Sequence, residues 1–339
     1  MVVGSSREEM KKIKILLVMV IVLTLAFMYL FQAEAYRMRP TFKSGLNYLS
    51  SGNRFIQDDS VTEADFKYFK ANGVMDISLR IFWASVADDG SVIDNYKRLL
   101  AVADRVGLNV QVDFWTQFSD QDWSRPTFIT SIYDIIRDPA VKQQWFSFVS
   151  TVMNEFKGYS CIKSWTMMNE PYSADSSDIE LFYLCWTEQR ALMKSIDSRP
   201  VSIRFALGDS PWSGEFSKTI AFQLCDYIAI NEYLDPSDRG YTRWGSTWSM
   251  FDRCVSDCKI AGKPLVITEF GSDTGDDEDK RVWYEQSLTY FMSKGIQKAY
   301  AWAWQTTNPT SLNNFNIIET PAFNELLGAT GTIVYGSWY

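Results

Sequence analysis

The 339-residue chain contains no histidine at all. That absence removes every mechanism that needs an imidazole: histidine-activated serine and cysteine nucleophiles, histidine-ligated zinc, and the histidine triads that hold non-haem iron. Chemistry must then rest on carboxylates, tyrosine, lysine or cysteine. Basic blocks are missing as well. The chain has 33 Lys and Arg against 41 Asp and Glu, net −8, whereas a nucleic-acid binder needs a basic face to neutralise phosphates. No nucleic-acid partner is expected. Repeats and low-complexity linkers are absent between Tyr36 and Tyr339. With 46% hydrophobic and 22% charged residues, the composition excludes the disordered, collagen-like and coiled-coil classes. Aromatic residues are what abound: 13 Trp, 17 Tyr and 22 Phe.

Lys11, Lys12 and Lys14 precede an almost wholly apolar run from Ile15 to Phe31, and Ala33-Glu34-Ala35 follows as a small-x-small pattern. The run is long for a signal-peptide core and short for a spanning helix, so two readings stay open: cleavage after Ala35, or retention as a membrane anchor. Residues 1–35 are assigned to this segment and 36–339 to a catalytic domain. Lysines before the run leave that end in the cytoplasm and send the rest outside. The expected location is therefore extracellular, secreted or anchored to the outer face of the membrane, with membrane contact only through residues 15–31 if uncleaved. All five cysteines, Cys161, Cys185, Cys225, Cys254 and Cys258, lie in the exported part. An odd count leaves at least one without a partner in the chain. Cys254 and Cys258 are too isolated for a zinc site. A disulfide from Cys225 to one of them and a set of buried thiols are both compatible with the spacing.

Downstream, short apolar runs alternate with helical patterns. Strands are expected at Ser44–Leu49, Asp76–Phe82, Asn109–Phe114, Ser164–Asn169, Val201–Ala206, Tyr227–Glu232, Leu265–Glu269 and Ala299–Trp304. Helices are expected at Thr62–Asn72, opening with a capping box from Thr62 to Asp65, and at Asn95–Val106, Pro139–Glu155, Asp178–Ile196, Arg243–Ala261 and Glu278–Lys294. Eight strands alternating with helices predict an α/β fold, a (β/α)8 TIM barrel. A doubly wound sheet would offer a Gly-rich nucleotide turn after its first strand, and Gly45-Leu46-Asn47 is not one.

In such a barrel the chemistry sits at the carboxyl ends of the strands. Arg80 stands there on strand two, Asp113-Phe114-Trp115 on strand three, Asn169-Glu170-Pro171 on strand four, Asn231-Glu232-Tyr233 on strand six, Thr268-Glu269-Phe270-Gly271 on strand seven and Trp302-Ala303-Trp304 on strand eight. Glu170 and Glu269 each follow a buried, apolar strand, where a charge needs a partner or a task. Two carboxylates on one rim are the equipment for glycoside hydrolysis, one as nucleophile and one as acid then base, about 5 Å apart in the retaining geometry. No metal or other cofactor is called for.

Asn169-Glu170-Pro171 after Trp165, together with Thr268-Glu269-Phe270-Gly271, resembles the strand-four and strand-seven signatures of glycoside hydrolase clan A, closest to family 5, the cellulases and mannanases. The resemblance covers about residues 40 to 328. It implies Glu170 as general acid/base, Glu269 as nucleophile and Asn169 as the partner of the sugar 2-hydroxyl. Arg80 resembles the strand-two arginine that keeps the nucleophile ionised, and Tyr233 the strand-six tyrosine that donates to it. Trp302 or Trp304 is implied as the platform under the sugar ring. Family members usually carry a histidine near the end of strand three, where this chain reads Asp113-Phe114-Trp115, and another two residues before the strand-six tyrosine, where it reads Asn231. Trp83, Trp115, Trp123, Trp212, Trp244 and Trp248 fall in or near rim loops and are candidates to line a cleft; Trp145 and Trp186 fall inside helices, as core. The implied function is a retaining β-glycoside hydrolase acting on extracellular β-linked glucan or mannan, with a β-linked oligo- or polysaccharide as its partner. The alternatives are a non-catalytic carbohydrate-binding barrel displayed at the cell surface and a surface-anchored interaction protein.

Overall fold

The computed structural model describes residues 7–37, 40–49, 58–115, 126, 129, 133–171, 176–207, 218–233, 248–272, 276–305, 317, 320–332 and 334. The chain divides into two units, Met1–Pro40 and Thr41–Tyr339. The first holds one helix, α1 (Arg7–Arg37). Its apolar side chains from Ile15 to Met28 are exposed. Among the described residues no helix is long and apolar enough to cross a membrane, so the expected anchor at residues 15–31 gains no support.

The second unit begins with β1 (Lys43–Leu49), α2 (Asp59–Ala71), β2 (Asp76–Phe82), α3 (Trp83–Asp88), α4 (Val92–Val106) and β3 (Asn109–Trp115). It continues through α5 (Asp134–Arg137), α6 (Pro139–Phe156), β4 (Ile162–Asn169), α7 (Ser176–Ile196), β5 (Val201–Ala206), α8 (Lys218–Leu224) and β6 (Ile228–Asn231). It ends with α9 (Trp248–Ala261), β7 (Leu265–Phe270), α10 (Asp277–Ser293), β8 (Lys298–Gln305) and α11 (Pro321–Ala329). The eight strands close in sequence order into one parallel barrel. It is the (β/α)8 architecture the alternation predicts. Parallel neighbours need a crossover, and the helices supply it on the outside of the sheet.

The helix ends follow local chemistry. Asp138 caps α6 by accepting from the Ala140 N–H, with Pro139 as the first helical residue. Asp276 caps α10 by accepting from Glu278 and Asp279. α2 starts three residues before the expected Thr62, because Asp58 is the cap and accepts from the Ser60 N–H. Thr62 therefore lies inside the helix and is buried there. A short polar side chain just ahead of the first turn outcompetes the later capping box. The closing helix α11 is tied to β1: the Ser44 hydroxyl donates to the Leu326 carbonyl at 2.7 Å, and the Phe42 and Thr332 backbones meet at 2.8 Å.

The barrel wall alternates in a way that shapes the site. In β2, Ile77, Leu79 and Ile81 are fully buried, and so are Ser78 and Arg80 between them. In β3, Val110, Val112 and Phe114 alternate with buried Gln111, Asp113 and Trp115. Successive side chains of a strand point to opposite faces. The apolar set packs under the helices and the polar set fills the interior. Barrels of this class are usually filled by branched apolar side chains; here polar and charged groups take that place.

Candidate active site

Three strands, β2, β5 and β6, converge on Glu269. It is the penultimate residue of β7 and is only 3% exposed, so its charge must be met inside the protein. Arg80 from β2 pairs with its Oε1. Arg204 from β5 lies 3.5 Å from the same oxygen. The Tyr233 hydroxyl, just past β6, donates to Oε2 at 2.6 Å. The Asn231 amide donates to Oε1 at 2.7 Å. Burial, followed by the negative Glu269 and Glu170, holds the Tyr233 phenol well above its ordinary range; it stays protonated and can only donate to the carboxylate.

Glu170 sits one residue past β4 and is half-buried. Its φ of 44° is left-handed, uncommon for any residue but glycine or Asn and Asp. Its N–H is held by the Arg204 carbonyl at 2.8 Å, so the turn carries the side chain off the end of the strand and over the rim. The Asn231 amide nitrogen donates to Glu170 Oε1 at 2.7 Å. The same nitrogen holds Glu269 Oε1, so those two carboxyl oxygens can be no farther apart than twice that distance. The orientation of Asn231 is fixed from behind, since its Oδ1 accepts from the Thr268 hydroxyl at 2.8 Å and leaves Nδ2 facing the acids. Asn169 Oδ1 lies 3.2 Å from that Nδ2, while its own buried Nδ2 has no acceptor among the described residues.

Behind the pair lies a layer the sequence reading did not select. Arg204 is fully buried inside the barrel. It reaches Asn47 Oδ1 of β1 at 3.3 Å, the Ser78 hydroxyl of β2, Gln111 Oε1 of β3 at 2.9 Å and Asp113 Oδ2 at 3.3 Å. Asp113 also lies 3.6 Å from Arg80 and accepts from Thr166. Burial pushes the Asp113 carboxyl up, against the pull of Arg204 and Arg80. Burial lowers Arg80 to about 10, with Glu269 opposing and Arg204 reinforcing the shift. That value still leaves Arg80 charged near neutrality. The available signal for Arg204 was a lone arginine between Ile203 and Phe205 in a strand with no other charge, a charge that cannot be buried unpaired.

The aromatic expectations divide. Trp115 and Trp302 face the site: their rings lie 6.2 Å apart and 10° from parallel, with Arg80 between them. Trp304 does not reach it. It packs outside the barrel, against Phe69 of α2 at 4.7 Å and Phe323 of α11 at 5.2 Å. The pairing of β1 with β8 slips between Leu46 opposite Ala301 and Tyr48 opposite Trp304. Three residues of β8 there match two of β1. Such a bulge reverses the alternation, so two residues spaced i, i+2 end on opposite faces. Trp83 is also no cleft residue: it is 2% exposed and packs on Trp145 at 5.2 Å. Trp248 is half-buried against Tyr290 at 4.1 Å. Trp123, Trp212 and Trp244 lie outside the described residues. Trp145 and Trp186 are fully buried, as their helical positions predict.

No protein-family model matches the chain. Among curated proteins it is similar to mannan endo-1,4-beta-mannosidase A of Hypocrea jecorina, 24% identical over 181 residues, half of this chain and 40% of that protein. It is also similar to mannan endo-1,4-beta-mannosidase A of Aspergillus aculeatus, 22% identical over 274 residues, 72% of this chain and 71% of that one. The chain thus spans well under half of the first relative's length. Its fold is similar to that of a family 5, subfamily 18 glycoside hydrolase from Streptomyces cattleya, with a TM-score of 0.68, 14% identity, and coverage of 86% of this chain and 80% of the other. These likenesses agree with the family 5-like resemblance that the motifs carry. The expectation of an O-glycosyl hydrolase agrees with the activities of those relatives.

Proposed function

We propose that this family 5-like chain is a retaining β-glycoside hydrolase that cleaves β-linked mannan or glucan by double displacement. The observation that carries the proposal is the bridge made by Asn231: one amide nitrogen 2.7 Å from an oxygen of Glu170 and 2.7 Å from an oxygen of Glu269. Twice that distance caps the separation of these two oxygens, which is compatible with the about 5–5.5 Å of retaining enzymes and short for the about 6.5–9.5 Å of inverting ones.

Glu269 is the nucleophile. Its lone pairs are aimed by two guanidinium groups, a phenol and an amide. It attacks the anomeric carbon and forms a glycosyl ester as the bond to the leaving oxygen breaks. Glu170, at the more open rim, gives its proton to that oxygen. It then takes a proton from the water that attacks the ester, so the anomeric configuration is retained. Arg80 and Arg204 lie against Asp113 and Glu269, and the proton that the first step consumes is the one carried by Glu170. The Asn169 amide, a buried donor lacking an acceptor among the described residues, fits a hydroxyl of the sugar. Mannan is favoured over glucan because the curated relatives named above are mannan endo-1,4-beta-mannosidases. Action outside the cell is inferred from the lysines and the apolar run ahead of the barrel.

Glu269→Ala tests the reading. Turnover of β-mannan and β-glucan oligosaccharides should fall by orders of magnitude. Azide should restore part of it on an activated aryl glycoside, with the α-glycosyl azide as product. An unchanged rate, or rescue without that inverted azide, rejects the assignment.

A further inference from the structure

The Arg80 side chain is 1% exposed, and its contacts divide between its plane and its faces. In the plane, one Nη donates to Glu269, and Nε faces Asp113 Oδ2 at 3.6 Å, an ion pair too long for a hydrogen bond. Across the faces, the guanidinium carbon lies 3.5 Å from the ring centre of Trp115 and 3.6 Å from that of Trp302. The two rings are nearly parallel and themselves only 5% and 7% exposed. A guanidinium donates only in its plane, and its faces are weakly hydrated. Two indoles therefore cover what water would otherwise reach and leave every donor direction open. A second cation, Arg204, shares Glu269 Oε1 and Asp113 Oδ2 with Arg80, so the two arginines repel across the carboxylates they bind. Something must keep Arg80 in register, and in-plane hydrogen bonds do not stop the plane from tilting.

We propose that Trp115 and Trp302 clamp the plane of Arg80, and that Trp115 is a positioning residue acting through Arg80 on Glu269, not a surface that grips the sugar. A cation–π face attracts a guanidinium more strongly when both are desolvated, as here, and so opposes the cost of burying Arg80 beside a like charge. Without Trp115 the guanidinium tilts into the vacated volume, water reaches its face, and the Arg80 hold on Glu269 Oε1 loosens. The inference rests on the reading of Glu269 as the nucleophile. The competing role is direct contact with substrate, since Trp115 Nε1 is buried without an acceptor among the described residues.

Two measurements separate these roles. In the whole chain, the Arg80 Nε–H proton resonance, identified by its loss in Arg80→Lys, should lie upfield of the other arginine signals. It should move back toward them in Trp115→Leu. Kinetically, Trp115→Leu should lower kcat on the order of 100-fold, the scale of a misplaced catalytic group. KM should change by less than about threefold, as expected when transition-state contacts alone are lost. Trp115→Phe, which keeps an aromatic face, should lose roughly tenfold or less. A Trp115→Leu variant with raised KM and retained kcat overturns the clamp in favour of sugar contact. An Arg80 signal that is not shifted in the unaltered protein overturns it outright. If the unaltered protein cleaves no β-glycan, the proposed function fails and the resonance alone judges the clamp.

Discussion

At the scale of single residues, the two acids differ in surroundings, in the direction the proposed division of roles requires. Glu269 is buried and met by Arg80, Arg204, Tyr233 and Asn231. Glu170 is half-buried at the rim and takes its amide contact from Asn231. A carboxyl that must trade protons with a leaving group and then with water needs access, whereas a nucleophile needs fixed charge and fixed aim. Glu170→Gln keeps the size and the amide neighbour but removes the proton. Hydrolysis of unactivated β-mannan or β-glucan should therefore fall by about 10²–10⁴-fold, the usual contribution of general acid catalysis. Aryl glycosides with good leaving groups need no proton to depart, so their first step should be far less affected. Rates compared across a series of aryl leaving groups check this; an equal loss throughout would remove Glu170 from the acid role. Both acids and the asparagine between them were legible in the sequence, because each stands at or next to the carboxyl end of a largely buried strand. The Asn231 bridge itself was not. It depends on the Thr268 hydroxyl turning the amide, a contact 37 residues distant in the chain.

At the scale of elements, all eight strands could be read, several to within a residue of their bounds, since short β-branched and aromatic runs between polar turns carry their own signal. What could not be read is which face a residue takes after a bulge. Trp302 and Trp304 share a face in any regular strand, and only the pairing of β8 with β1 separates them. Arg204 escaped for a related reason: its partners come from β1, β2, β3 and β7, and no local window contains them. Contacts between elements also make a prediction for pH. Asp226, ahead of β6, joins α7 to β5. It pairs with Arg190 at 2.9 Å and Lys194 at 2.6 Å and accepts from the Val201 N–H at 2.9 Å. Burial raises its pKa, but the Lys194 pair, the Val201 hydrogen bond and the Arg190 pair outweigh that and hold it below the ordinary 3.8. A carboxyl depressed in the folded state stabilises above its unfolded value, and that contribution is lost as pH falls through the folded value. Asp226→Asn should therefore cost about 1 kcal/mol at pH 7, a figure kept small because the site is partly solvated. The difference from the unaltered protein should shrink as the pH is lowered below about 3.8, the ordinary value for the group. Denaturant midpoints at pH 7 and pH 3 measure both; a gap that widens in acid would contradict the pairing.

At the scale of the whole barrel, the sulfur chemistry follows from packing. All five cysteines are free and buried, so the alternative of a disulfide from Cys225 is not realised here. Cys254 and Cys258 face inward from α9, Cys161 opens β4, and its thiol lies 3.6 Å from the Leu100 carbonyl. Burial pushes Cys161 and Cys185 up to about 12 and Cys225 to about 11, and raises Cys254 well above its ordinary range, with Cys258 adding to the effect. The thiolate is the reactive form, and it must also reach its partner. Both conditions fail while the barrel is intact, so a protein bound for an oxidising compartment would keep its thiols by enclosing them, not by pairing them. With a disulfide reagent at pH 8, the native protein should react with fewer than one thiol over minutes. After denaturation without reductant, all five should react at once. The pace of labelling in partial denaturant should follow global unfolding, because the cysteines sit on β4, α7, α9 and the approach to β6, and no single element can open to expose them together. Fewer than five thiols on denaturation would mean that a pair had formed, and rapid labelling of the native protein would mean that the packing around α9 or β4 is looser than this barrel requires.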